Sequence, residues 1–262
     1  MEGTLANRPE QAAGTVSVVT GAGQGIGRAT ALRLSAAGHR VVLVGRDAGK
    51  LETVAAGLAG PSLCLSADLT AAGEADRVFT AVEQTWDTAA VLVANAGASL
   101  ASPLADTTDE QWQRMLDANL TAPFRCLRRA LPAMTERGWG RVVVIASVVA
   151  KRGERQVSAY TASKHGVLGL VRAAADEVAG TGVTVNAVCP GYVDTPMTRS
   201  TIAAIGERRG VGADEATALL ARRQPIGRLI EPDEVAAAVQ ACVENGAING
   251  QGINVDGGAV QS

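Results

Sequence analysis

Aromatic residues are scarce in this chain, with three tryptophans, two tyrosines and two phenylalanines among 262 residues. An aliphatic ligand pocket is therefore expected in place of a stacked aromatic one. Charge of one sign is also lacking, since 24 Lys and Arg face 26 Asp and Glu for a formal net charge of −2. Without a basic field, neither nucleic acid nor an anionic membrane is an expected partner. Cysteine is limited to Cys64, Cys126, Cys189 and Cys242, more than fifty residues apart and without a C-x-x-C pair. They read as four buried, reduced thiols of a cytoplasmic protein, not as a disulfide framework or a metal site, and no metal is expected. The two histidines, His39 and His165, stand alone and read as surface or internally satisfied residues. No apolar run approaches the ~18 residues of a membrane span. Hydrolase elbows (G-x-S-x-G) and Walker loops are missing as well, which disfavours the commonest hydrolases and NTPases.

What is present is an alternation of short apolar runs with longer amphipathic stretches. Hydrophobic residues make up 47% of the chain, and the runs at 16–20, 40–44, 62–66, 90–94, 141–146, 183–188 and 252–255 read as strands. Helices are expected at 25–37, 48–59, 71–84, 108–137 (as two), 158–179 and 232–243. Buried strands separated by helices are the pattern of βαβ units around a parallel sheet. The fold class is thus α/β, a doubly wound parallel seven-stranded sheet of Rossmann type. A disordered leader is expected over residues 1–14 and a single domain over 15–262. Residues 196–225 belong to no strand and read as a helical lid over the substrate, with Met197, Ile202, Ile205, Leu219 and Leu220 supplying apolar surface. A solvated helical hairpin or a subunit contact is the competing reading of that insertion.

The first strand runs into Thr20-Gly21-Ala22-Gly23-Gln24-Gly25-Ile26-Gly27. Glycines there permit positive φ, close approach of backbone to a pyrophosphate and tight helix–strand packing, while the helix N-terminus offers free N–H groups to phosphate. A dinucleotide is therefore the expected ligand. At the end of the second strand, where a carboxylate would bond ribose hydroxyls and a cation would accept a 2′-phosphate, the chain has Gly45 and Arg46. Asp47 follows as the N-cap of the next helix. Arg46 points to NADP(H), with NAD(H) as the alternative.

Tyr160 and Lys164 lie at i and i+4, on one face of one helix. A free phenol has a pKa near ~10, and a neighbouring cation is expected to lower it, so that Tyr160 exchanges a proton with a carbonyl or alcohol oxygen. Ser147 ends the apolar run 142–145 at the carboxyl edge of the sheet, where its hydroxyl can bond the same substrate oxygen.

Taken together, these features resemble the short-chain dehydrogenase/reductase family. The resemblance rests on Thr20-Gly21-x-x-x-Gly25-x-Gly27, Asp68-Leu69, Asn95-Ala96-Gly97, Asn119, Ser147, Tyr160-x-x-x-Lys164, Pro190-Gly191 with Thr195, and Val255-Asp256-Gly257-Gly258, in this order along nearly the whole chain. It implies hydride transfer at a nicotinamide and a homotetramer. It implies further that Gly21, Gln24, Gly25, Ile26 and Gly27 hold the pyrophosphate, that Asp68 and Leu69 meet the adenine, and that Asn95, Ala96 and Gly97 lie along the adenosine side. Pro190, Gly191, Val193 and Thr195 would flank the nicotinamide, Thr195 holding its carboxamide and Lys164 its ribose. Asn119 would anchor a water relaying protons to Lys164.

Within the family, the segments 160–170, 183–197 and 225–236 look most like 3-oxoacyl thioester reductases and polyketide ketoreductases. Val148, Val149, Tyr192, Val193 and Met197 are the expected pocket, and Arg152, Arg155, Arg199, Arg208 and Arg209 are candidates for ligand phosphates. The first expectation is NADPH-linked reduction of a small-molecule carbonyl, a 3-oxoacyl thioester (on coenzyme A before carrier protein) or a small aliphatic β-ketone. Two alternatives stand beside it: an NAD-linked alcohol or 3-hydroxyacyl thioester dehydrogenase, and a dinucleotide-binding regulator without turnover.

Overall fold

The computed structural model describes residues 14–261. The expected leader lies outside the described residues except for Gly14, whose N–H donates to the Gly38 carbonyl at 3.0 Å. Seven strands, β1 (Val16–Thr20), β2 (Arg40–Gly45), β3 (Ser62–Ser66), β4 (Val91–Ala94), β5 (Gly140–Ile145), β6 (Val183–Pro190) and β7 (Gly252–Val255), pair in parallel in the order β3-β2-β1-β4-β5-β6-β7. The helices are α1 (Gly25–Ala36), α2 (Ala48–Ala55), α3 (Glu74–Thr85), α4 (Asp109–Leu116), α5 (Ala122–Arg137), α6 (Ser158–Glu177), α7 (Pro196–Arg209), α8 (Ala213–Ala221) and α9 (Pro232–Glu244).

Strand side chains alternate between two buried layers because successive residues point to opposite faces. Val142 and Val144 of β5 pack with Cys126, Leu127 and Met134 of α5 and Val167 and Val171 of α6. Val143 and Ile145 join Leu34 of α1 and Val235 and Val239 of α9 on the other face. Both faces are covered, which explains why the strands read as continuous apolar runs.

Several expectations need adjusting. The helix expected from residue 71 starts at Glu74, since Gly73 takes φ +81° and caps it from outside; α2 ends at Ala55, earlier than expected. The expected pair within 108–137 is joined by one wide π turn, Asp117–Thr121, in which the Ala122 N–H reaches Asp117 O. Pro123 has no N–H to give the carbonyl of Asn119 four residues back, so an α-helical ladder cannot continue there. Cys64 is half-buried on edge strand β3, whereas Cys126, Cys189 and Cys242 are buried; all four are free thiols. His39 is buried with its ring bonded to Ser17 Oγ at 2.6 Å. Among the described residues no helix is long and apolar enough to cross a membrane.

The strand order reverses direction at β1: the chain builds outward to β3, then returns to β4 on the other side. At such a switch point the loops after the two strands diverge and leave a crevice at the carboxyl ends.

Candidate active site

A cleft of about 360 Å³ opens at this switch point, and its lining gathers residues from Gly21 to Thr198. On one wall are Gly21, Gln24, Gly25 and Ile26 from the glycine loop, with Arg46 and Lys50 beyond them. Asp68 and Leu69 follow β3, Asn95, Ala96 and Gly97 follow β4, Pro190 ends β6, and Gly191, Val193 and Thr195 follow it. Asn119, Ser147, Tyr160 and Lys164 complete the other end.

The glycine loop is braced from below. Thr20 Oγ1 accepts the N–H groups of Asn95 and Ala96, both at 2.9 Å, while Asn95 Nδ2 donates to the carbonyls of Thr20 at 2.9 Å and Gly21 at 3.2 Å. The Asn95 amide is thereby engaged with the loop, not free for a ribose. Gly21 has φ +63°, and a Cβ on Gly27 would sit 2.2 Å from Gly21 O. Gly27 does not line the cleft; its hydrogen side chain lets α1 approach the loop. Gln24 ahead of α1 forms no side-chain cap, which leaves the first N–H groups of the helix facing the cleft, as a pyrophosphate would require.

Arg46 is exposed at the adenosine end, and Asp47 caps α2 by accepting the Lys50 N–H at 3.1 Å. Lys50, absent from the sequence expectation, brings a second cation there and reaches Gln24 Oε1 at 3.5 Å. Its signal was a lysine at the third position of a helix already known to start after Asp47. Asp68 is held by the hydroxyl of Thr70 at 2.7 Å and its N–H at 3.0 Å, which keeps its carboxyl below the usual range. These walls fit a dinucleotide: a glycine loop at a helix N-terminus, a carboxylate over the adenine wall and cations where a ribose phosphate would lie.

At the reacting end, Lys164 is buried and donates from Nζ to the Ile145 carbonyl at 2.8 Å. Burial pushes its pKa down to about 8. Tyr160 goes the other way, raised chiefly by burial of its hydroxyl end; a hydrogen bond from Ser147 partly offsets this and the charge of Glu154 adds to it. The lowering expected from the neighbouring cation is not found: burial of the phenolate raises Tyr160, and the lowering influence on it is the Ser147 hydrogen bond, not Lys164. Ser147 also accepts the Val149 N–H at 3.3 Å and so caps the short turn 148–150.

Asn119 lies in the π turn, with its amide spent on protein: Oδ1 accepts the Ala98 N–H and Nδ2 donates to Ala98 O, both at 3.0 Å, and Nδ2 also reaches Ser163 Oγ at 3.2 Å. It holds the loop after β4 over Lys164.

Of the expected pocket residues, Val193 and Met197 line the cleft, and Val148, Val149 and Tyr192 do not. Val148 and Val149 are buried in the turn after β5 and are not part of the cleft lining. Tyr192 is also outside it, its hydroxyl donating to Glu154 Oε1. Met197 lines the mouth and is 43% exposed. Ile202, Ile205 and Leu220, expected to cover a ligand, pack instead against one another with Ala216 as a small core between α7 and α8. Arg152, Arg199 and Arg208 are occupied by Glu154, Asp194 and Gln156. Sequence reasoning missed Gln224, which is buried and clamps the backbone of Tyr192, accepting from its N–H at 2.8 Å and donating to its carbonyl at 3.2 Å.

Residues 15–206 match the family model described as short chain dehydrogenase. The chain belongs to the short-chain dehydrogenase family. Like other members, this short-chain dehydrogenase is an NAD(P)-dependent oxidoreductase. It is 39% identical over 243 residues to a 3-oxoacyl-[acyl-carrier-protein] reductase of Mycobacterium tuberculosis, covering 92% of this chain and 91% of that one. It is 34% identical over 253 residues to a D-beta-hydroxybutyrate dehydrogenase of Cupriavidus necator, covering 94% and 98%. The crystal structure of an actinorhodin polyketide ketoreductase variant with NADPH superposes with a TM-score of 0.89 at 38% identity, covering 94% of this chain and 97% of that one.

Proposed function

We propose that this short-chain dehydrogenase catalyses NADPH-dependent reduction of a ketone to the alcohol, with Tyr160 as general acid. The observation that carries this reading is that Ser147, Tyr160 and Lys164 line one end of the cleft together, with Lys164 Nζ fixed by the Ile145 carbonyl at 2.8 Å; a phenol there is protonated at neutral pH, as a proton donor must be. A bound nicotinamide cofactor supplies the hydride to the carbonyl carbon. Ser147, already bonded to Tyr160, orients the carbonyl oxygen beside the phenol, and Tyr160 delivers its proton to that oxygen as negative charge develops. Lys164, fixed by Ile145 O at 2.8 Å, would hold the ribose of a bound nicotinamide and pass a proton drawn from solvent on to Tyr160; Asn119 shapes the loop that encloses this path.

Arg46 and Lys50 support NADP(H), since two exposed cations at the adenosine end suit a 2′-phosphate. A 3-oxoacyl thioester, on coenzyme A before carrier protein, or a small aliphatic β-ketone is the proposed substrate. The similarity to an acyl-carrier-protein reductase and a polyketide ketoreductase supports the 3-oxo group, and the scarcity of rings supports an aliphatic one. The α7–α8 pair serves as the lid, presenting Met197 to the substrate. A homotetramer is proposed with it; Trp112 on α4 and Phe124 on α5 are exposed at 39% and 41% and suit a subunit contact.

The second reading, an NAD-linked dehydrogenase working oxidatively, is favoured by the similarity to hydroxybutyrate dehydrogenase. A panel of ketones and alcohols followed by nicotinamide absorbance, with both cofactors, separates the two. Reduction of 3-oxo compounds with NADPH is the expected result. Strong preference for NADH refutes the role of Arg46, and tight cofactor binding without any turnover would favour a regulator.

A further inference from the structure

The α7–α8 pair is packed on itself: Ile202 and Ile205 meet Ala216 and Leu220, with Tyr192, Val211, Leu219 and Leu229 around them. Its moorings to the loop that leads into the catalytic helix are polar. Glu154 in that loop accepts at Oε1 from Tyr192 Oη and from Arg223 Nη1 at 2.7 Å, and its Oε2 lies 3.7 Å from Arg152 Nη2. Arg223 Nη1 also donates to Tyr192 Oη at 3.0 Å, which closes a three-membered ring of contacts. Two residues further, the Gln156 side chain accepts from Arg208 of α7 at 3.4 Å. Gln156 is the one residue other than glycine with positive φ among the described residues, at +65°, and its carbonyl receives the Ser102 N–H at 2.7 Å. A non-glycine residue holds that conformation only where its surroundings impose it, so the loop 151–157 is fixed in place before it meets the helical pair.

Position gives Glu154 its importance. Tyr192 follows Pro190 and Gly191 of the cleft lining, and Arg223 follows α8, so one carboxylate grips both ends of the insertion. Its side chain is 19% exposed against 50% for Arg223, and a shielded carboxylate shared by a phenol and a guanidinium is a stronger mooring than a surface ion pair. The apolar packing lies mostly within the pair, with Tyr192 and Leu229 against its edge, so loss of the polar contact loosens the seat of the pair without dissolving its own core.

We propose that Glu154 is a positioning residue: through Tyr192 and Arg223 it seats the α7–α8 pair at the mouth of the cleft and thereby sets the affinity for the carbonyl substrate without touching it. The choice of substrate for its assay rests on the reductase reading above; the mooring itself does not.

The test uses the full chain with NADPH and compares Glu154→Gln, Arg223→Gln, their double variant and Tyr192→Phe, which keeps the ring in the small core. Arg223→Gln is expected to raise KM for the ketone roughly tenfold with kcat and NADPH Kd within about twofold, as loss of a charge-assisted hydrogen bond outside the reacting atoms predicts; Glu154→Gln raises KM equally and leaves NADPH Kd unchanged, while its kcat also senses the lost charge near Tyr160. Amide exchange across 196–221 accelerates in these variants while that of β1, β4 and β5 stays constant. The double variant is no worse than Glu154→Gln, since both remove one contact, and Tyr192→Phe moves the same parameters to a smaller extent. Unchanged KM together with unchanged exchange in Glu154→Gln overturns the proposal, as does an additive double variant or a joint loss of kcat and NADPH binding. Should the wild-type protein reduce no carbonyl, the reductase reading falls, and exchange across 196–221 still decides the mooring.

Discussion

Lys164 Nζ donates to the carbonyl of Ile145 at 2.8 Å and stands 5.8 Å from the centre of the Tyr160 ring. The cation is thus held by the last residue of β5, next to the strand end that carries Ser147. One strand end aligns both the cation and the hydroxyl with the phenol, and the three groups share a buried environment that pushes Lys164 down and Tyr160 up.

The first consequence is a pH profile. As pH rises, Lys164 loses its proton at about 8, before the raised phenol does. For reduction, kcat/KM should be level below that point and fall above it by roughly tenfold per pH unit, as for loss of one required proton. Oxidation of the product alcohol should gain over the same interval. A reductive rate constant that stays flat through pH 10 would contradict the assignment.

Lys164→Met should abolish useful turnover yet stabilise the fold at neutral pH. The folded pKa of about 8 lies below the unfolded 10.5, so between these values the unfolded chain binds more protons and wild-type stability rises with pH. Below pH 8 the full cost of burying the ammonium is present in the wild type and missing in the variant. After subtracting the hydrogen bond lost at Ile145 O, the expected gain is about 1–2 kcal/mol at pH 7, shrinking as pH climbs toward 10.5. Urea unfolding at pH 7 and pH 10 measures it; a destabilised variant at pH 7 contradicts the burial argument.

Tyr160→Phe removes only the proton donor. Its kcat should drop by about 10³-fold, within the range of general acid catalysis, while NADPH binding followed by fluorescence stays within about twofold. Retained turnover sinks the mechanism.

At the adenosine end, Arg46→Ala and Lys50→Ala should each weaken NADPH binding by roughly tenfold, the worth of a charge-assisted contact to phosphate. Binding of NADH should hardly change. Equal losses for both cofactors would mean that these cations serve the fold or the pyrophosphate instead.

Thr20→Val keeps the volume and deletes the acceptor of two N–H groups. Leaving the Ala96 N–H without a partner, and that of Asn95 with only the Val93 carbonyl at 3.1 Å, should lower stability by about 1–3 kcal/mol and loosen the glycine loop enough to weaken both cofactors alike. Thermal unfolding with and without cofactor reports both effects.

Much of this arrangement is written locally. Alternating apolar runs determined seven strands, because strands buried on both faces must be apolar throughout, and the four-residue step from Tyr160 to Lys164 determined a shared helical face. Glycines between β1 and α1 announced the phosphate loop, and Pro123 carried in advance the reason for the π turn at Asn119. Properties that depend on what surrounds a residue were decided only by tertiary structure. Met197 faces the cleft while Ile202 and Leu220 turn into their own core, a choice between apolar partners that no sequence period records. Tyr192 and Glu154, thirty-eight positions apart, meet because β6 ends beside the loop after β5. Above all, the spacing of Tyr160 and Lys164 named the expected proton-transfer pair, but the direction of each pKa came from burial: desolvation sums over every neighbour the fold supplies, which no spacing records.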